Sequence, residues 1–239
     1  MEDSFFYRKN HLNEPQPFSV DVVFCIDATG SMSPVIDLVR NNARNFYGDV
    51  MRKMAEKGKK VDHFRIRVIA FRDYAFDEDA AMLTTGFFSL PEETAAFEEV
   101  LNGIQPQGGG DDPEDGLEAL GYAIRSKWTR NPGKKRYMII VWSDDATHEL
   151  GHGRNAKNYP QKMAKDFTEL TTWWNGLDQI AKRLLIFAPL KEYWSTVSGI
   201  WDNTVHFPIV SGSGNGHESE NETLLDSFSK VFTGFLENL

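Results

Sequence analysis

The residues best suited to chemistry stand just after a short apolar run. Residues 22–26 (Val-Val-Phe-Cys-Ile) lead into Asp27, Thr29 and Ser31 at alternate positions. One carboxylate and two hydroxyls form a hard oxygen set, the donor chemistry that suits a small divalent cation such as Mg²⁺. The same residue types also cap helices, and Ser33-Pro34 beside them reads as a helix start. This stretch alone therefore allows a capped strand-to-helix turn as well as a metal loop. Two further stretches carry oxygen donors. Gly108-Gly109-Gly110-Asp111-Asp112-Pro113-Glu114 joins a glycine run, able to approach another group closely, to carboxylates and a helix start. Those carboxylates argue against a phosphate cradle, and no Gly-x-x-x-x-Gly-Lys is present. Ser143-Asp144-Asp145 closes a second apolar run.

A competing chemistry is spelled by His148-Glu149-Leu150-Gly151-His152, the His-Glu-x-x-His pattern of zinc proteases. That pattern works when both imidazoles lie one helical turn apart with the Glu as base. Gly151 and Gly153 sit in a polar stretch with little apolar periodicity, which disfavours a helix there. No third ligand follows at a recognisable spacing. A haloacid-type phosphatase would need a second acid two residues after Asp27, where this chain has Thr29.

Taken together, the three oxygen-bearing loops resemble a known family. Asp27-x-Thr29-x-Ser31 is similar to the first loop of the metal-ion-dependent adhesion site of von Willebrand factor type A domains. Gly108-Gly109-Gly110-Asp111-x-Pro113-Glu114 resembles the second loop of hemicentin-like and alpha-kinase-linked members. Val141-Trp142-Ser143-Asp144-Asp145-Ala146-Thr147-His148 resembles their Thr-Asp-Ala-Pro-Pro-His segment, and Phe71-Arg72-Asp73-Tyr74 their Tyr-Arg-Asp-Tyr. The resemblance runs from about residue 19 to the C-terminus, in the family's order and spacing. It implies a doubly wound, mostly parallel six-stranded α/β sheet with helices on both faces and the first and fourth strands adjacent at its centre. It also implies Mg²⁺ or Mn²⁺ held directly by the Thr29 and Ser31 hydroxyls, with Asp27 and Asp144 close by, often acting through water. Many members have a Thr in the second loop; this chain offers Asp111, with Asp112 as the alternative register. A third carboxylate would hold a dication more tightly and leave it less attractive to a partner's carboxylate. The implied activity is binding of a protein partner through the metal face, without catalysis. The enzyme alternative is a metallohydrolase using His148 and His152.

The elements that must position these loops follow from patterning. Residues 1–18, with Pro15 and Pro17, read as a leading arm before a domain spanning 19–239. After Pro34, apolar residues at spacings of three and four (Ile36, Val39, Ala43, Phe46, Val50, Met54) predict a helix to about Lys57. Strands are expected at residues 64–71, 136–143, 184–188 and 203–210, with a weak one near 81–84. Helices are expected over 91–101, from Pro113 through Trp128, and over 161–181. Ser219 and Glu222 form a capping box for a final helix burying Leu225, Phe228 and Phe232. Strands alternating with helices argue for a doubly wound sheet, whose ligands bind beyond the strands' carboxyl ends where strand order reverses. Loops 146–160 and 211–219 should then rim the metal, the first carrying His148, His152, Arg154, Lys157 and Tyr159.

The 239 residues, 41% hydrophobic and 26% charged, suit one domain with a sizeable core. A formal charge of −9 disfavours nucleic acid and anionic membrane as partners and suits a cation site. The single cysteine, Cys25, excludes a disulfide scaffold and suits a reducing, cytoplasmic setting. No signal peptide pattern and no apolar run of membrane-spanning length is visible.

Overall fold

Strand β1 (Phe18–Asp27) is apolar on both faces because it runs through the middle of the sheet and meets helices on either side. Val22, Phe24 and Ile26 enter one core; Val23 and Cys25, pointing the other way, enter a second. The computed structural model describes residues 17–110, 113–130 and 133–209. The elements after β1 are, in order, α1 (Ile36–Glu56), β2 (His63–Phe71), β3 (Met82–Thr84), β4 (Phe88–Leu90), α2 (Thr94–Gly103) and α3 (Gly116–Ile124). Then come β5 (Lys134–Trp142), α4 (Phe167–Asn175), β6 (Lys182–Ala188), α5 (Trp194–Ile200) and β7 (Thr204–Pro208).

The strand order is β3-β2-β1-β5-β6-β7. The five long strands are parallel; β3 and β4 pair antiparallel with β2. This is the mostly parallel sheet between helical layers that the sequence leads one to expect. Among the described residues it has seven strands, since β3 lies along Ile69 to Phe71 and β4 along Phe64 to Ile66, sharing the outer edge of β2. The sheet is thus six positions wide. Three-residue strands carry too few residues for a period of two to register, which is why Phe88-Ser89-Leu90 escapes sequence patterning.

One core lies under α1 and α2, where Phe24 meets Phe46, Phe97 and Trp142 at centroid distances of 5.6, 6.3 and 5.1 Å. Each such pair contributes about 0.5–1.5 kcal/mol beyond its buried area. The other core joins α3, α4 and α5 through Leu117, Leu120, Leu170, Trp174, Trp194, Val197 and Trp201. Cys25 sits in this second core, where burial pushes its thiol up to about 12, so it is an inert packing residue. Among the described residues no helix is long and apolar enough to cross a membrane.

Three expected helices differ in extent. The first begins at Ile36, after a 3₁₀ turn at Gly30–Met32, so Pro34 is not its first residue. The helix expected from Pro113 begins at Gly116, because Glu114 is drawn into a bridge with Thr147. The helix expected over 161–181 is confined to Phe167–Asn175: the Asp166 side chain accepts from Glu169 N–H at 2.8 Å and starts it, and Gly176 follows its end. Helix α5 was not anticipated. Its Trp194 and Val197 are buried, and Trp194 Nε1 donates to Asp145 O at 2.9 Å, tying the helix to the loop after β5. Residues 211–219 and the final capped helix lie outside the described residues, as does the leading arm up to residue 16.

Candidate functional site

The chain winds outward from β1 in one direction through β2 and in the other through β5, so strand order reverses between β1 and β5. Their register sets Ile26 beside Trp142, which brings the residues that follow, Asp27 and Ser143-Asp144, to the same carboxyl edge.

There the side chains form a continuous polar chain. Fully buried Asp27 accepts through Oδ1 from Thr29 N–H at 3.0 Å and from Thr29 Oγ1 at 2.6 Å, and through Oδ2 from Ser143 Oγ at 2.7 Å. Thr29 Oγ1 lies 3.1 Å from Ser31 Oγ, which donates to Asp144 Oδ1 at 3.1 Å. None of these side chains caps a helix: Thr29 precedes the 3₁₀ turn without a side-chain cap, and Ser33 Oγ donates back to Gly30 O. The bonds also decide where the hydroxyl protons go. Each hydroxyl has one proton; Thr29 donates to Asp27 and Ser31 to Asp144, which leaves lone pairs on two oxygens 3.1 Å apart. Two hydroxyl acceptors flanked by two carboxylates fit a hard dication.

The electrostatics are strained in the same sense. Burial, and then the charge of Asp27, push the Asp144 carboxyl up to about 7. Asp27 is raised chiefly by burial, against the lowering effect of its bonds from Thr29 and Ser143. Asp145 is turned away: its carbonyl receives Trp194, and its carboxylate is paired with Lys191 Nζ at 2.5 Å. Of the two adjacent aspartates, Asp144 is the one that reaches Ser31.

The second loop packs onto the first. Gly30 N–H donates to Gly108 O at 3.3 Å, and Gln107 N–H to Ala28 O at 3.0 Å. Gly108 and Gly109 have φ of 73° and 76°, and a Cβ on Gly109 would stand 2.5 Å from Glu114 Oε1 and 3.2 Å from Thr29 Cβ. The group that the glycine run approaches is therefore the Thr29 loop itself. Asp111, the ligand expected from this loop, and Asp112 lie outside the described residues.

Several supporting residues were not singled out by sequence reasoning. Ser143 holds Asp27. Arg72 donates to Ala28 O at 2.9 Å, Ala80 O at 2.6 Å and Gln105 O at 2.8 Å, tying three segments together. Asp77 Oδ2 accepts from Gly109 N–H and Asp73 N–H. Their signal was adjacency: Ser143 and Arg72 stand inside the quoted motifs, whereas Asp77 has none. Of the expected rim residues, His148 is buried, and Tyr159 turns inward to donate to Glu118 Oε1 at 2.8 Å. Arg154 is spent on the carbonyls of Ala164 and Lys165, leaving Lys157 and His152 exposed.

Comparison with known proteins converges on this architecture. A family model described as von Willebrand factor A domain matches residues 21–132. The alpha-protein kinase vwkA of Dictyostelium discoideum is 28% identical over 141 residues, which make up 59% of this chain and 21% of that protein. This chain thus corresponds to about a fifth of that relative. Among solved structures, the pilus adhesin SpaC of Lactobacillus rhamnosus GG superposes over 92% of this chain and 32% of its own with a TM-score of 0.52 at 11% identity. Its open conformation gives 0.50 at 12%, over 92% and 31%. At such identities the likeness is one of fold. Residues 21–132 thus match the von Willebrand factor A domain, and the likeness to solved structures extends the same fold over nearly the whole chain.

Proposed function

We propose that this domain is a metal-dependent protein-binding module, in which Mg²⁺ or Mn²⁺ bound at the carboxyl edge of β1 and β5 helps hold an acidic group of a partner protein. Domains of this family are commonly protein-interaction modules. The observation that carries the reading is the chain of bonds Asp27–Thr29–Ser31–Asp144, whose hydroxyl protons both point at carboxylates. Thr29 and Ser31 are the direct ligands in this proposal. Asp27 and Asp144 balance the charge from close by, and Asp111 is the second-loop ligand. The metal supplies a positive charge that attracts a carboxylate; selectivity must come from what surrounds it. Phe76 and Leu190, 55% and 66% exposed, stand in the loops after β2 and β6 at this same end, and Lys157 and His152 are exposed on the loop after β5. An acidic group flanked by apolar residues matches that surface. The cytoplasm is the proposed setting, since the lone thiol is buried in the core.

The hydrolase alternative has less support. Gly151 has φ of 91° and His152 opens a 3₁₀ turn, so the two histidines are not one α-helical turn apart, and Glu149 points to solvent. The test is capture of partners from the native host with Mg²⁺ and with chelator, using the wild-type chain and Asp27→Ala. Capture that needs both the ion and Asp27 supports the reading; capture unaffected by either overturns it.

A further inference from the structure

We propose that Asp73, His148 and His152 hold a second cation of a different class, a borderline transition metal such as Zn²⁺, beside the oxygen site. This rests on other residues than the Mg²⁺ reading and stands without it. Asp73 stands in the loop after β2 and the two histidines in the loop after β5, yet one ligand atom from each lies within 4.8 Å of the others. His148 Nε2 is 3.0 Å from Asp73 Oδ2, and the two imidazoles stack with centroids 3.7 Å apart and planes 7° from parallel. Two nitrogens and a carboxylate oxygen form a borderline donor set, which suits Zn²⁺ and is foreign to Mg²⁺. The third ligand, missing from the local sequence around the histidines, comes from the loop after β2.

The loops that carry these groups are held in place. Asp73 donates through its N–H to Asp77 Oδ2 and accepts through Oδ1 from Ala75 N–H; His148 N–H donates to Glu114 O at 2.7 Å. The turn carrying His152 is pressed against the Asp73 loop at Gly153, where a Cβ would come within 2.6 Å of Tyr74 Cβ.

A second, independent observation points to a positive guest. Asp115 and Glu118 are both fully buried, and Asp115 Oδ1 and Glu118 Oε2 have no hydrogen-bond partner. They line the same region. Asp115 Oδ2 accepts from Tyr74 N–H, next to Asp73, and would lie 3.4 Å from a Cβ on Gly153, next to His152. Glu118 Oε1 accepts from Gly151 N–H on the other side of His152. Buried carboxylates with unspent acceptors are costly, and a dication at the adjoining Asp73 and histidine cluster lowers that cost through its charge. Zn–N and Zn–O bonds of about 2.0–2.2 Å require the stacked rings to splay. His152, exposed at the surface, is free to swing and leaves a fourth position open to water or to a partner's donor group.

The test uses the full chain in millimolar Mg²⁺, titrated with Zn²⁺ against a chromophoric chelator. Long-range ¹H–¹⁵N spectra of the histidine rings are recorded in parallel. The expected result is one equivalent of Zn²⁺ bound despite the Mg²⁺, with the ring nitrogens of two histidines shifted. His152→Ala, checked for an unchanged far-UV spectrum, should weaken Zn²⁺ by about a hundredfold or more, since even residues behind the ligands are worth about 10–100-fold. Failure of the wild type to take up Zn²⁺ overturns the proposal. So does uptake that leaves the rings unshifted, or uptake equally tight in His152→Ala.

Discussion

Mg²⁺ stabilisation of this domain should depend on pH in a way set by Asp144. Its carboxyl is pushed up to about 7 by burial and by Asp27, so below that value an incoming cation must displace a proton. The apparent affinity should then fall about tenfold per pH unit below 7, or about thirtyfold by pH 5.5, which is about 2 kcal/mol. Asp27, raised in the same direction, steepens the loss. At about 100 times the Kd, an ion that binds only the folded state adds about 2.7 kcal/mol, or about 5–11 °C in Tm for a domain of this size. With the same ion concentration at about pH 5.5, the thirtyfold weaker site leaves about 0.9 kcal/mol, roughly 2–4 °C.

Without metal the trend reverses. Asp144 and Asp115, the latter pushed up to about 8 by burial and by Glu118, bind protons in the folded state that the unfolded chain has released. The stability they contribute is fully present below the unfolded carboxylate range, about pH 4, and is lost as pH rises through about 7 and 8, by up to about 1.4 kcal/mol per unit for each group. Melts with Mg²⁺ and with chelator, at about pH 5.5 and about pH 8, read both slopes. A metal-induced shift that is equal at the two values, or absent, refutes the reasoning, as does a metal-free Tm that climbs with pH.

Other expected outcomes follow from single contacts. Asp27→Asn keeps an acceptor for Thr29 while removing a buried charge; the Mg²⁺-dependent Tm shift should vanish, with the chelated protein at about pH 8 at least as stable as the wild type. Gly109→Ala places a side chain at φ of 76° and against Glu114, and should cost about 1–3 kcal/mol in urea unfolding and weaken Mg²⁺ binding with it. Arg72→Lys keeps the charge and loses the fork to three carbonyls; a cost of about 2–3 kcal/mol, with faster amide exchange in residues 28–31 and 105–109, is the expected reading.

The carboxyl edge of the sheet was legible because two apolar runs end in carboxylates. The runs before Asp27 and Asp144 are buried on both faces, so they had to be central strands, and neighbouring parallel strands present their ends together. Less legible was anything decided by contacts distant in sequence. The helix after the glycine run starts three residues late because the Glu114 backbone bonds Thr147 and His148. Helix α5 is held by Trp194 reaching Asp145, a contact that no local period announces. The histidine pair offered a familiar spelling in the wrong local structure, and its carboxylate neighbour stands 75 residues upstream. Which way Tyr159 and Arg154 point was likewise settled by Glu118 and the carbonyls of 164 and 165, none of which a reading of the loop alone contains.

The three-way grip of Arg72 has a kinetic consequence. Its guanidinium holds the backbone just before Thr29, and Gly30 and Gln107 lock the same segment to the glycine run. The Thr29 and Ser31 hydroxyls thus stand in place before any ion arrives, and the described residues of the first loop need no refolding on filling. What remains slow is on the ion's side: Mg²⁺ gives up its water shell reluctantly. Entry should therefore run at the pace of ligand exchange on the cation, insensitive to solvent viscosity, and quicken when Mn²⁺ or Ca²⁺, with looser shells, is offered instead.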